Sequence, residues 1–246
     1  MNAPEKTLVH LRNLWKAKSL GYTYYVFITV LQRRGVPLPR SLLFKSLYHV
    51  GIENITPYVF PDTMEGVFVD VGACRGLYTF MVAHKGYRVH AFEPSPEALR
   101  TLSREAEKYP NIKLHPYALG EKEKTGRLNL HLACGHDGFI AQSTDYTGET
   151  VEAEIKTLDS LQIKDVEVVK IDTEGYELPI LRGARETLQS QKPRLVIEIH
   201  TPYLEQEQKI REYLEKLEYH DINKLYKKYQ FNRPDPQYHL VCEARP

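Results

Sequence analysis

Asp70, Gly72, Ala73, Gly76 and Glu93 have the types and the spacing to hold a nucleoside. The stretch FVDVGACRGLYTF, residues 68–80, runs as β-formers to Asp70, breaks into small residues, and resumes with a helical pattern after Gly76. Glycines let a backbone turn sharply and come close to a ligand, and a helix starting behind them offers amide N–H groups with no intrahelical acceptor. The pattern D-x-G-x-x-x-G lacks the three glycines of the dinucleotide fingerprint G-x-G-x-x-G. It therefore provides less for a pyrophosphate and more for an uncharged or zwitterionic group. Glu93, at the tip of FEP, stands 21 positions after Gly72, close to the offset of about 20 at which an acid accepts both hydroxyls of a ribose. A carboxylate suits that task because its two oxygens lie in one plane. The pair implies an adenosine-like ligand whose other end meets the glycine loop, with the small Ala118 lining the face of its base.

A second set of polar residues follows two later strands. KIDTEGYE brings Asp172 and Glu174 to a strand end, with Gly175 allowing an unusual backbone angle, and IEIH places Glu198 and His200 two apart. Carboxylates beside a reaction centre can bind an ammonium group, hold a metal ion, or take a proton from a hydroxyl. A plain acid cluster at a helix N-terminus is the structural alternative. His200 titrates near neutrality and is a candidate base, or is simply hydrogen-bonded at the end of its strand.

These residues need a scaffold that gathers strand ends. From Val67 onward apolar runs alternate with helical patterns: strands at 67–71, 87–92, 112–119 and 166–171, and a further strand RLVIEIH at 194–200. Two half-exposed strands, RLNLHLA (127–133) and TVEAEIKTL (150–158), lie between them. Helices are expected over 76–85, from Ser95-Pro96-Glu97 onward, from Pro179, and after Thr201-Pro202. The tail PQYHLVCEARP reads as a final strand, antiparallel beside its predecessor. Such alternation over short connections predicts an α/β fold, a mostly parallel sheet with right-handed crossovers and helices on both faces. Ligands in such sheets bind beyond the carboxyl ends of the strands. Residues 1–60 read differently, with Leu8, Leu11, Leu14, Leu43 and Leu47 at helical spacing and an aromatic stripe of Tyr22, Tyr24, Tyr25 and Phe27. They predict a helical N-terminal segment that packs on the main domain, 61–246, as core, as a substrate lid or as a homodimer surface.

Composition narrows the partners. The 246 residues carry 33 Lys plus Arg against 32 Asp plus Glu, a balance that argues against a polyanion partner, the run Lys224, Lys227, Lys228 and Arg233 notwithstanding. Cys74, Cys134 and Cys242 form no CxxC pair, which excludes the usual zinc spacing and points to a reducing compartment. The apolar stretch YTYYVFITVL at 22–31 is about half of a bilayer span. A cytoplasmic location is expected.

In this order, FVDVGACRGLYT, AFEPSP, TLDSL, VVKIDTEGYELPILRGA and LVIEIH resemble the FkbM-type S-adenosylmethionine-dependent methyltransferases. The similarity runs from about Gly66 to His200, and KIDTEGYE followed by LRGA is its most specific part. Cys74 stands where that family commonly has Asn. The resemblance implies a class I, Rossmann-like methyltransferase that O-methylates a sugar or another small molecule. It implies that Asp70, Gly72 and Gly76 meet the methionine end of S-adenosylmethionine and Glu93 its ribose. Asp172 would sit beside the sulfonium, with Glu174 or His200 near the incoming nucleophile, and no metal site is assigned. A metal-dependent O-methyltransferase using Asp172 with Glu198 or His200, a non-catalytic adenosine-binding protein and a nicotinamide oxidoreductase are the rival readings. Base methylation is disfavoured, because the residues after the fourth buried strand, Asp172-Thr173-Glu174-Gly175, contain no proline pair.

Overall fold

A continuous apolar strand must be covered on both faces, and Val67–Val71 is buried along its whole length. It is β1, and the computed structural model builds the rest of the sheet around it. The structure describes residues 58, 64–131, 146–199, 204–226 and 238–244. The chain divides into two compact units, 1–56 with 226–236 and 57–225 with 237–246; the described residues belong to the second, Tyr226 excepted. The expected N-terminal helical segment and His200 lie outside the described residues.

From β1 the chain passes through α1 (Leu77–His84), β2 (Arg88–Phe92), α2 (Pro96–Ala106), β3 (Ile112–His115), β4 (Ala118–Leu119), β5 (Lys124–His131) and β6 (Tyr146–Lys156). It continues through β7 (Val166–Ile171), α3 (Glu177–Arg182), α4 (Arg185–Gln191), β8 (Arg194–Ile199), α5 (Leu204–Glu215), β9 (Tyr219–Tyr226) and β10 (Tyr238–Ala244). Seven strands form one sheet in the order β3-β2-β1-β7-β8-β10-β9, and β4-β6-β5 form a smaller one. In the large sheet β1 pairs in parallel with β2 and β7, β2 with β3, and β7 with β8. β10 runs antiparallel to β8. Alternate residues of β1 face opposite ways. Val69 and Val71 join a core with Ile171, Ile197, Leu181, Leu188, Ile210 and Leu214, while Asp70 turns to α1, where Thr79 bonds it. Helices therefore cover both faces, as the alternating elements predict. Among the described residues, no helix is long and apolar enough to cross a membrane.

Four local expectations need correction. The run 112–119 is two strands in different sheets, because Pro116 has no amide to continue a ladder and the chain turns there. The helix expected from Pro179 starts at Glu177; proline is tolerated in a first turn, whose N–H groups have no intrahelical acceptor. The half-exposed pair is longer towards its N-terminal ends, at 124–131 and 146–156. The edge strand β9, YHDINKLY, carries no alternating apolar pattern; its polar composition, common in edge strands, hides it in the sequence.

Candidate active site

The strand order reverses between β1 and β7: β2 and β3 lie to one side, β8 to the other. At such a switch point the loops leaving the two central strands diverge and open a crevice. The loop after β1 is folded tightly against the end of β2. Gly72 and Ala73 both donate their N–H groups to the Phe92 carbonyl at 3.0 Å, and Gly76 donates to Ala73 at 2.8 Å. Across the crevice Asp172 donates its N–H to the Val71 carbonyl at 3.1 Å, which ties the β7 loop to β1. Gly72 has φ 77, and a Cβ there would fall on the carbonyl oxygen of Asp172. Only glycine lets the two loops approach this closely.

Glu93 crosses between the loops after β1 and β2. Its Oε2 accepts the Cys74 N–H and its Oε1 accepts the Ser95 N–H, both at 2.7 Å. Cys74 is at φ 50, which turns its amide towards that carboxylate. The carboxylate is buried and points into the glycine bend.

A cleft, partly open to solvent, sits between these loops. Gly72, Glu93, Ala118, Asp172 and Glu174 line it, with Leu119, Leu128 and Ile180 as apolar walls. Three of its lining groups are carboxylates. Asp70, Ala73 and Gly76 do not line the cleft. Asp70 is instead buried beneath it, accepting from Thr79 Oγ1 at 2.6 Å and Lys170 Nζ at 3.3 Å. Lys170 also lies 3.6 Å from Asp172 Oδ2. Glu198 is turned into the sheet, its Oε2 3.3 Å from Nε2 of the wholly buried His239 on β10. Among the described residues, no three His, Cys, Asp or Glu side chains gather to hold a metal ion.

Several residues escaped the sequence reading. Lys170 is a lone cation in the buried strand VEVVKI, and its register partner on β1 is Asp70. A lysine in such a strand has to meet a carboxylate, so the strand itself carried the signal. Tyr176 lines the cleft, and Glu177, the last acid of KIDTEGYE, is buried behind it. Behind Phe92 lies a polar aromatic chain: His115 stacks on Phe92 at 4.3 Å, and its ring nitrogens meet Tyr117 Oη at 2.8 Å and His90 Nδ1 at 3.2 Å. Burial, with the nearby Lys113 and Arg88, lowers His90 to about 4, and burial with His90, Lys113 and Lys156 lowers His115 likewise to about 4.

Residues 70–221 match the methyltransferase FkbM domain. Over 139 residues the chain is 27% identical to the hexuronic acid methyltransferase AglP of Haloferax volcanii, covering 55% of this chain and 56% of that protein. Among solved structures, methyltransferase FkbM from Methylobacillus flagellatus superposes with a TM-score of 0.53 at 20% identity, covering 82% of this chain and 52% of that one. Precorrin-6y C5,15-methyltransferase from Geobacter metallireducens gives a TM-score of 0.48 at 17% identity, covering 78% and 87%. The chain thus spans about half the length of the first two.

Proposed function

Because the chain belongs to the FkbM methyltransferase family, we propose that it transfers a methyl group from S-adenosylmethionine to a hydroxyl oxygen of a small, sugar-containing acceptor. The observation that carries this reading is Glu93, a buried carboxylate lining the cleft and bonded to the bend at Cys74. A carboxylate offers about four lone-pair positions, so one group can accept two backbone amides and a ribose diol together. The apolar walls at Ala118, Leu119, Leu128 and Ile180 suit a purine, and the acids at Asp172 and Glu174 suit a cationic sulfonium. These residues fit the cofactor. When bound, S-adenosylmethionine supplies a methyl group already activated on sulfur.

The protein's own work is then alignment and proton removal. Asp172, fixed to β1 through its backbone and beside Lys170 through its side chain, lines the cleft. Asp172 and Glu174 orient the acceptor hydroxyl, and one of the two carboxylates accepts its proton as the new bond forms; His200, which lies outside the described residues, is the third candidate base. The hexuronic acid named for the Haloferax volcanii relative supports a sugar as the acceptor class.

Calorimetry with S-adenosylhomocysteine and NAD in parallel tests the cofactor. We expect uptake of the former alone, with Glu93→Ala raising its Kd roughly ten- to a hundredfold through loss of charged hydrogen bonds. Absence of binding at millimolar concentration, or an Ala variant that binds as well as the parent, would overturn the reading. Methyl transfer from labelled cofactor to a panel of uronic acid glycosides then tests the acceptor.

A further inference from the structure

We infer that Glu177 and Gln206 clamp the 172–175 loop and are positioning residues for the transfer proposed above, on which this inference rests. The loop passes through Glu174 at φ 52 and Gly175 at φ 100. A non-glycine residue leaves the left-handed region readily unless its surroundings hold it there. Here the hold comes from two sides. Glu177, at the first position of α3, turns back beneath the loop, and its Oε1 accepts the Gly175 N–H at 2.9 Å. The same oxygen accepts the Thr173 N–H and Thr173 Oγ1–H, both at 3.4 Å. From the other side Gln206 of α5 donates Nε2–H to the Gly175 carbonyl at 2.9 Å. Both backbone polar groups of Gly175 are thereby fixed, while Asp172 is tied to β1. Glu174 hangs between two anchored points.

The helix that carries Gln206 is itself fixed by its next residue. Glu207 accepts from the Tyr238 hydroxyl, from Lys224 Nζ at 3.1 Å and from Arg211 Nε at 2.8 Å. Strands β9 and β10 therefore reach the loop through two adjacent residues of α5. Neither Glu177 nor Gln206 lines the cleft. Their effect on chemistry passes through the positions of Asp172 and Glu174, where a misplacement of about 1 Å costs roughly a hundredfold in rate.

The bonds from Thr173 and Gly175 end on one oxygen of Glu177, so holding the loop needs an acceptor there more than a charge. Glu177→Gln keeps a carbonyl oxygen and Glu177→Ala removes it; Gln206→Ala opens the clamp from the half-buried surface of α5. Glu177→Ala should accelerate amide hydrogen exchange at Gly175 about tenfold, one lost hydrogen bond's worth, with Glu177→Gln recovering most of the protection; Gln206→Ala, which frees the Gly175 carbonyl and leaves its N–H bonded, should accelerate it severalfold by letting the loop open. The kcat should fall roughly ten- to a hundredfold in the Ala variants and largely return with Glu177→Gln, while S-adenosylhomocysteine affinity stays within about threefold. Unchanged exchange at Gly175 in the Ala variants would overturn the clamp, as would faster exchange with unaltered kcat. Exchange is read on the ligand-free protein, so the clamp is tested even if the parent takes up no S-adenosylhomocysteine, which would sink the proposed function instead. If Glu177→Ala does not fold, Gln206→Ala decides alone.

Discussion

Asp70 and Asp172 flank one ammonium, with Lys170 Nζ at 3.3 Å from the first and 3.6 Å from the second. Their side chains differ in exposure, 1% against 30%, and that difference separates their roles. Asp70 neutralises a buried cation, so Asp70→Asn leaves Lys170 underneath the cleft with only a partly solvated counter-charge. Breaking such a pair costs about 3 kcal/mol, which thermal or urea unfolding will read directly. Asp172→Asn removes a carboxylate that water already reaches, so its cost in stability should stay below about 1 kcal/mol, while kcat drops by a factor of roughly a hundred or more. Equal loss of stability in the two variants would make Asp172 a structural residue. What the sequence disclosed at this scale follows the same division. The bend at Gly72 and the strand-end position of Glu93 are legible because both are set by the pattern of neighbours along the chain. Lys170 and Glu177 are not, because the first is defined by a register partner on another strand and the second by turning back on its own loop.

Elements were legible where hydrophobic pattern dictates them. The buried strands β1, β2, β7 and β8 fall within a residue or so of their sequence boundaries, since a strand covered on both faces has nowhere to put a polar residue except opposite a partner. The strand at 112–119 breaks at Pro116, and β9 is an edge strand in which His220, Asp221, Asn223 and Lys224 are exposed. Neither event leaves a hydrophobic trace. The geometry at the switch point rests instead on a single missing side chain. Gly72→Ala would place a Cβ on the Asp172 carbonyl and force the ends of β1 and β7 apart. Gly86 has a similar backbone, at φ 92, but nothing within 4 Å of a would-be Cβ. Gly86→Ala should therefore cost about 1–2 kcal/mol of backbone strain alone and leave cofactor affinity intact. Gly72→Ala should cost more than about 2 kcal/mol and abolish S-adenosylhomocysteine binding. Equal effects of the two substitutions would show that the close approach of the loops is dispensable.

For the molecule as a whole, the balance of 33 basic and 32 acidic residues leaves little net charge near neutrality, so a pH effect on folding in mild acid must come from particular groups rather than from overall repulsion. His90 and His115 are such groups. Both are depressed in the folded protein from 6.5 to about 4 by burial and by cationic neighbours. Well above pH 6.5 both imidazoles are neutral folded or unfolded and contribute no pH dependence. Between 6.5 and 4 the unfolded chain takes up protons that the folded one resists, so stability falls as pH falls. Most carboxylates titrate below pH 5, which leaves pH 6.5 to 5 as a window in which the histidines dominate. Across it we expect unfolding free energy to drop by about 1 kcal/mol per pH unit for the pair, after allowing for their partial exposure. The double substitution His90→Asn and His115→Asn should flatten that slope whatever it does to the absolute stability; a slope that survives it would assign the acid sensitivity elsewhere. Protonation of the folded protein, at lower pH, reaches the cleft. His115 stacks on Phe92 at 4.3 Å, and its carbonyl accepts the Glu93 N–H at 3.1 Å. A charged imidazole there pushes against the strand that carries Glu93, so cofactor affinity should hold through the window in which the fold loses stability and weaken only as pH falls towards about 4, where the folded His115 takes up its proton.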